Sequence, residues 1–174
     1  MNTELTIPRS HEYPIRSGIY RTAGIFIVCT GVLWTLINVS WVITYLMEPL
    51  SISQAWVVSF LLKLVGQPVH QTGLFINSPL MNLEVTPSCT GIYHFVVLIG
   101  GLLAWSTTRS ERNRGIIAGI IALISINIIR LVSIYYCALY ITDWVPFFHG
   151  VFWEGVMVLF VPIFWIYWVN RISK

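Results

Sequence analysis

Three residues of this sequence have complementary chemistry: Cys89, Arg130 and His149. A cysteine thiol can attack a carbonyl carbon, and an imidazole can take the thiol proton and later return it to a leaving group. A guanidinium can stabilise the oxyanion that forms during the attack, most strongly where water is excluded. Together the three side chains would provide acyl transfer through a covalent cysteine intermediate.

Arg130 is the most unusual of the three because it lies in the middle of the apolar run ISINIIRLVSIYY. A charge at this depth of a membrane helix costs several kcal/mol and usually marks a functional site. A purely structural alternative is that Arg130 pairs with Glu154 or extends its side chain outward. Asn127 lies one turn earlier on the same helix face, where it could hold Arg130 or line the site.

Cys89 and His149 are both predicted at the starts of helices. With Thr86 as N-cap and Pro87 as the first helical residue, Cys89 falls in the first helical turn, where the positive end of the helix favours the reactive thiolate. The same effect favours neutral imidazole at His149, which can then accept a proton. The structural alternatives are an inert cysteine at a helix start and an interfacial histidine that faces water.

His94 and Glu154 are candidates for a supporting role. They lie five residues after Cys89 and His149, about 140° around each helix, so neither shares a face with its predecessor. They could contact substrate, pair with each other or, for Glu154, pair with Arg130. A metal site built from Cys89, His94 and His149 has no HExxH-type pair to support it, and neither a metal nor another cofactor is expected.

Composition predicts that a bilayer surrounds these residues. Of 174 residues, 56% are hydrophobic and 10% are charged, whereas a soluble domain carries about 25% charged residues. A span needs about 20 apolar residues. We therefore predict an all-α polytopic membrane protein with about four transmembrane helices, at about residues 23–47, 87–107, 116–141 and 149–169.

The long link 48–86 has a different pattern. It opens with SISQAWVVSFLLKLVG, which predicts an amphipathic helix lying in the membrane interface, with a fifth inserted segment as the alternative. An Asn-Ser-Pro turn then separates two short alternating runs, which predicts a short extracytoplasmic β-hairpin.

The basic residues predict the orientation. Eight of the ten, all except Lys63 and Arg130, fall on one side of a four-helix arrangement, and the positive-inside rule makes that side cytoplasmic. Residues 1–22 then form a cytoplasmic tail, residues 23–174 form a single transmembrane catalytic domain, and both termini are cytoplasmic. Cys89 and His149 face the extracytoplasmic side of a multi-pass protein of the cytoplasmic membrane.

The blocks PSCTGI, NIIRLVSIYY and FFHGVFWEG, in this order over residues 66–168, resemble the exosortase/archaeosortase family of prokaryotic membrane transpeptidases. The resemblance implies that Cys89 is the nucleophile, with Arg130 and His149 as its partners, and the histidine is more similar to the bacterial exosortase branch. It also implies substrates anchored in the membrane by a C-terminal sorting signal, made of a short motif, a transmembrane helix and a basic tail. The product would pass through a thioester to a lipid or another cell-envelope acceptor.

A second hypothesis is a membrane protein without enzymatic activity, such as an assembly factor or a small transporter subunit. Arg130 and Glu154 would then line a polar path or bind a partner. Substitution of Cys89 by serine separates the two hypotheses, because only a cysteine acyltransferase depends on the thiol. Neither hypothesis calls for a nucleic-acid partner.

Overall fold

A computed structural model describes residues 13–172 of the chain. Within this part, three segments are long and apolar enough to cross a membrane, namely Gly18–Ile37, Arg109–Tyr140 and Thr142–Ile172. A further apolar helix, Ile92–Ala104, has 13 residues and is shorter than a usual span. The chain is therefore a mostly helical membrane protein with three candidate spans among the described residues. The helix at the second of the four predicted spans is too short to count among them.

The elements follow one another in a simple order. The helices are α1 (Tyr13–Ile37), α2 (Ser40–Val42), α3 (Glu48–Leu64), α4 (Ile92–Ala104), α5 (Arg109–Tyr140), α6 (Val145–Phe147) and α7 (Trp153–Ile172). The strands are β1 (His70–Thr72), β2 (Phe75–Asn77) and β3 (Asn82–Glu84). Single turns of π-helix (Ile43–Met47 and Phe148–Phe152) and of 3-10 helix (Pro87–Thr90 and Thr142–Trp144) connect several of them.

The first helix lies earlier in the chain than the predicted range 23–47. Residues 13–22, assigned to the tail, belong to α1, whereas residues 1–12 lie outside the described residues. The helix ends at Ile37 because Asn38 turns its side chain back to donate a hydrogen bond to the Trp34 carbonyl at 2.7 Å. Val39 then has extended backbone and the chain begins a new helix at Ser40. Asn38 thus ends the helix inside the apolar segment 23–47, which the sequence pattern predicted to be one continuous helix.

Helix α5 begins at Arg109, before the predicted residue 116. Thr108 accepts a hydrogen bond from the Glu111 backbone N–H at 3.3 Å, which is half of a capping box. Glu111 also pairs with Arg114 at 2.9 Å. These polar residues extend the helix beyond its apolar segment.

The link between α3 and α4 contains a three-stranded antiparallel sheet of order β1-β2-β3, where a single hairpin was expected. Strands β2 and β3 flank the Asn-Ser-Pro turn, and their register pairs Phe75 with Glu84. Strand β1 adds to β2 through a second turn at Gly73, whose φ of +60° suits glycine. The turn at Gly73 connects β1 to β2, and β1 is the third strand that the sequence pattern did not predict.

Helix α3 is packed against protein on one face. Ala55, Val58 and Leu62 are fully buried in a core that also contains Leu131 and Tyr135 of α5 and apolar residues of the sheet segment. The opposite face leaves large apolar side chains exposed, namely Trp56, Phe60 and Leu64. Helix α3 thus carries apolar side chains on both faces, and its predicted place in the membrane interface stays a prediction. Together with the sheet, α3 covers the C-terminal part of α5.

A second core joins the longer helices. It is formed by α4, α5 and α7 around Leu98, Leu123, Met157 and Trp168. Helix α1 packs mainly on α4, and it is peripheral to the bundle. The beginning of α4, the end of α5 and the segment before α7 therefore meet at one end of the bundle, which we call the Cys89 end.

Candidate active site

The Cys89 turn is a separate structural unit and not the first turn of a long helix. Cys89 lies in the 3-10 turn Pro87–Thr90, and Gly91, with φ of +73°, separates this turn from α4. A side chain at Gly91 would be strained in the left-handed region, and its Cβ would lie 2.8 Å from Cε of Met157. Glycine here lets the chain change direction immediately after the cysteine.

Thr86 has a different role from the predicted N-cap. Its hydroxyl makes no hydrogen bond to a helix backbone N–H and instead lies 3.2 Å from Sγ of Cys89 and 2.8 Å from the Ser88 hydroxyl. The Thr86 carbonyl accepts the backbone N–H of Cys89 at 2.9 Å. The thiol is thereby held by its own turn and is nearly buried, with 8% of the residue exposed.

His149 reaches this thiol from another part of the chain. Its Nε2 lies 3.6 Å from Sγ of Cys89, within hydrogen-bond distance for sulfur. His149 belongs to the π-helical turn Phe148–Phe152 that leads into α7. Such turns insert one extra residue and so redirect side chains, often at functional sites. The sequence placed both residues at helix starts, and the structure brings their side chains together.

Arg130 is buried within α5, with 2% of the residue exposed. Its Nε has no hydrogen-bond partner, and within the described part of the chain no carboxylate forms an ion pair with it. The predicted structural pair with Glu154 is therefore not formed. The guanidinium lies within electrostatic range of the imidazoles of both His94 and His149. A buried cation without a counter-ion is costly, and an anion or a developing oxyanion would satisfy it.

Asn127 ties the cysteine turn to two helices. Its side-chain amide donates to the Cys89 carbonyl and to Oε1 of Gln54, both at 2.8 Å. Gln54, on α3, donates in turn to the Thr90 carbonyl at 3.4 Å. Asn127 is fully buried, and Gln54 is 3% exposed. The pair fixes two successive carbonyls, those of Cys89 and Thr90, on the C-terminal side of the nucleophile candidate. Asn127 therefore contacts the cysteine turn as well as lying near Arg130 in α5.

Gln54 was not identified from the sequence. The signal was nevertheless present, since the buried positions Ser51, Gln54, Ala55, Val58 and Leu62 follow helical spacing along α3. A polar amide within an otherwise small and apolar stripe has to find a buried partner. The partner lies more than 70 residues away, so only the folded structure identifies it.

Substitution of Gln54 by alanine should loosen the cysteine turn. One buried Asn127 N–H and the Thr90 carbonyl lose their partner, and we expect a loss of about 1–3 kcal/mol in the free energy of unfolding. Maleimide should then modify Cys89 faster, while modification of Cys29 should not change. Thermal unfolding and peptide mass mapping of the purified protein measure both effects. Gln71→Ala, in the sheet, is the control, and equal stability and labelling of the two variants would refute the role of Gln54.

His94 and Glu154 form a pair close to this cluster. Nε2 of His94 lies 3.3 Å from Oε1 of Glu154, and the histidine is buried whereas the carboxylate is half exposed. Nδ1 of His94 is buried without a hydrogen-bond partner. Of the alternatives weighed for Glu154, the structure forms the pair with His94. The Glu154 carboxylate and the Arg130 guanidinium act on both imidazoles with opposite sign, so Glu154 can tune the site.

The remaining hypothesis for this cluster is a metal site built from Cys89, His94 and His149. Among residues 13–172, no group of three or more His, Cys, Asp or Glu side chains is arranged to hold an ion. What the described geometry offers is a thiol beside an imidazole, with an unpaired guanidinium in the same cluster.

Comparison with known proteins agrees with the sequence resemblance. The sequence model of a family described as transmembrane exosortase (Exosortase_EpsH) matches residues 19–169. The match begins in α1 and ends in α7, so it includes Cys89, Arg130 and His149 and most of the described helices. No curated protein and no solved structure matches the chain.

Proposed function

The chain belongs to the transmembrane exosortase family, and we propose that it is a cysteine transpeptidase with Cys89 as nucleophile. The observation that carries this proposal is the 3.6 Å approach of the His149 Nε2 to the Cys89 Sγ in a cluster that also holds an unpaired buried arginine. A nucleophile within reach of a base is the usual arrangement for covalent catalysis.

The proposed reaction has two steps that share one base. His149 takes the proton of Cys89 as the sulfur attacks the scissile carbonyl, and a C–S bond forms. The C–N bond of the peptide then breaks, and His149 gives its proton to the leaving amine. The acceptor next attacks the thioester, its proton passes to His149, and breaking of the C–S bond releases the product and returns the thiol.

Arg130 is the proposed oxyanion partner. The attack converts a neutral carbonyl oxygen into an anion, and a preorganised cation in a water-poor site stabilises the transition state more than the ground state. Arg130 is already desolvated and has no counter-ion among the described residues. Burial of this charge lowers the stability of the fold, and we propose that the charge is retained because it stabilises the transition state.

This cost gives a prediction for Arg130→Met, which keeps an unbranched, flexible side chain and removes the charge. We expect turnover to fall by about 10²–10³-fold, the usual loss for one oxyanion donor. The free energy of unfolding should stay the same or increase, because an unpaired buried charge is removed. A substrate-processing assay and thermal unfolding of the purified variant measure the two effects separately.

Two further variants complete this experiment. Arg130→Lys retains a charge but not the planar fork, so it should retain part of the activity. Arg114→Met removes an arginine that pairs with Glu111 on the exposed surface of α5, and it should change neither property. If Arg130→Met lost stability along with activity, the arginine would be a structural residue and its proposed role would be wrong.

The substrates we propose are membrane-anchored proteins with a C-terminal motif, a transmembrane helix and a basic tail. The transmembrane helix would place the motif at the Cys89 end, which the positive-inside pattern assigns to the extracytoplasmic face of the cytoplasmic membrane. The acceptor would be a lipid or another envelope component. His94 and Glu154 are proposed to contact substrate or to tune the charge near His149.

The test of this function is a processing assay in membranes. Candidate substrates are proteins of the same organism that end in a shared short motif, a hydrophobic helix and basic residues. Coexpression with the wild-type chain should remove the tail from such a protein. The shortened product should then carry the added mass of an acceptor. A reporter with the motif scrambled is the control, and equal processing of both reporters would contradict motif recognition.

The alternative of an assembly factor or transporter subunit predicts a different result. A protein of this kind does not require the Cys89 thiol, so a Cys89→Ser variant would keep its partner interactions and its cellular effect. The approach of Cys89 and His149 favours the enzyme, since a partner-binding protein needs no base beside a buried sulfur. A Cys89→Ser variant that retains the full cellular function would favour the alternative.

A further inference from the structure

A groove of about 820 Å³ opens between α1 and α7, with α4 as its floor. It lies on the part of the bundle away from Cys89, where α1 begins and α4 ends. Its lining is almost entirely apolar or glycine, and Trp165 at its wall is held by a hydrogen bond from Nε1 to the Gly101 carbonyl at 3.0 Å. The groove is thus a defined apolar space that the proposed reaction does not use.

The groove lies along the first half of α1, whereas the second half packs closely on α4. There Thr30 lies against Gly100, where a Cβ would clash with the Thr30 hydroxyl, and Trp34 packs on Tyr93 with ring centroids 4.7 Å apart. The first half of α1 stands apart from α7 across the groove. Apolar walls without a partner lose dispersion contacts and do not favour water. A hydrocarbon chain would restore those contacts.

Polar and charged groups cluster at the end of the groove where α4 finishes. Thr22 and Ser106 are its hydroxyl-bearing lining residues. Arg21 precedes Thr22 on α1, and Arg109 follows Ser106 at the start of α5; both are exposed, and neither forms an ion pair within residues 13–172. An apolar groove with cations at one end complements a lipid with an anionic headgroup.

We propose that this groove binds an acyl chain of an anionic phospholipid from the cytoplasmic leaflet, with its phosphate near Arg21 and Arg109. The competing occupant is the transmembrane helix of a substrate. Its basic tail would meet the same two arginines and be repelled by them, so the charges favour the lipid. Bound lipid would join the first half of α1 to α4 and α7. The proposal does not depend on the transpeptidase activity, because binding requires no turnover.

Two glycines of α1 provide a matched steric test. A Cβ at Gly18 or at Gly24 meets no atom within 4 Å, but only Gly18 lines the groove. Gly18→Phe should fill part of the groove and lower the number of phosphatidylglycerol molecules retained per protein in native mass spectrometry. Gly24→Phe should retain as many as the wild-type chain. Equal retention by the two variants would overturn the proposal.

The headgroup is tested in the same experiment with an equimolar mixture of phosphatidylglycerol and phosphatidylcholine. Each of Arg21→Gln and Arg109→Gln should lower the preference for phosphatidylglycerol by about fivefold. Arg114→Gln removes the same charge from an arginine that pairs with Glu111, and it should leave the preference unchanged. An unchanged preference in the first two variants, or displacement of the lipid by a hydrophobic tail peptide, would contradict the proposal.

Discussion

Substitution of Cys89 by alanine is expected to abolish processing, with a fall in turnover on the order of 10⁶-fold, as for removal of the nucleophile in other covalent enzymes. No bond to the acyl group can form without the sulfur. The fold should survive, because the change removes one atom from a residue whose carbonyl and backbone N–H remain bound to Asn127 and Thr86. Reporter cleavage in membranes, normalised to the amount of folded protein, measures the effect.

The two other cysteines are the controls for this substitution. Cys137 is buried and its Sγ lies 3.8 Å from the Ile141 carbonyl, whereas Cys29 lies in α1. Their serine variants should process the reporter at close to the wild-type rate. Wild-type processing by Cys89→Ala would mean that the nucleophile lies elsewhere and that the proposed site is wrong.

Substitution of His149 by alanine should have the second largest effect, a fall of about 10²–10⁴-fold in turnover, which is the usual contribution of general acid–base catalysis. The substitution leaves Cys89 in its turn but removes the group that accepts and returns its proton. Added imidazole should restore part of the lost activity, which a purely structural role of His149 would not allow. Processing rates with and without imidazole measure both predictions.

His70→Ala is the matched control, because this histidine is exposed in strand β1. It should process at the wild-type rate and should not respond to imidazole. A His149 variant with unchanged turnover would leave Cys89 without the proposed base. Loss of activity accompanied by unfolding would assign His149 a structural role.

The sequence identified the candidate residues of the site but not their contacts. Cys89 and His149 were identified as reactive side chains near predicted helix starts, and Arg130 as a charge within an apolar run. Whether Glu154 pairs with Arg130 or with His94 depends on the rotation of α4 and α7 about their axes. Helical spacing within one segment does not fix that rotation, and the structure resolves it in favour of His94.

The helix boundaries show the same limit. Apolar run length predicted the existence of α1 and α5, but single polar residues set their ends: Asn38 ends α1, and Thr108 with Glu111 begins α5. The Thr-x-x-Glu spacing was readable in advance as a capping box. Gly91 is harder to predict, because its left-handed conformation is one of several that glycine can adopt.

The most direct test of the account is the mass of the intact protein during turnover. Purified wild-type chain incubated with a membrane-anchored tail substrate and no acceptor should gain the mass of the acyl product. The adduct should map to Cys89 and should be released by hydroxylamine, as expected for a thioester. A processed substrate with no adduct on the protein, or with an adduct on another residue, would contradict the assignment of Cys89 as the nucleophile.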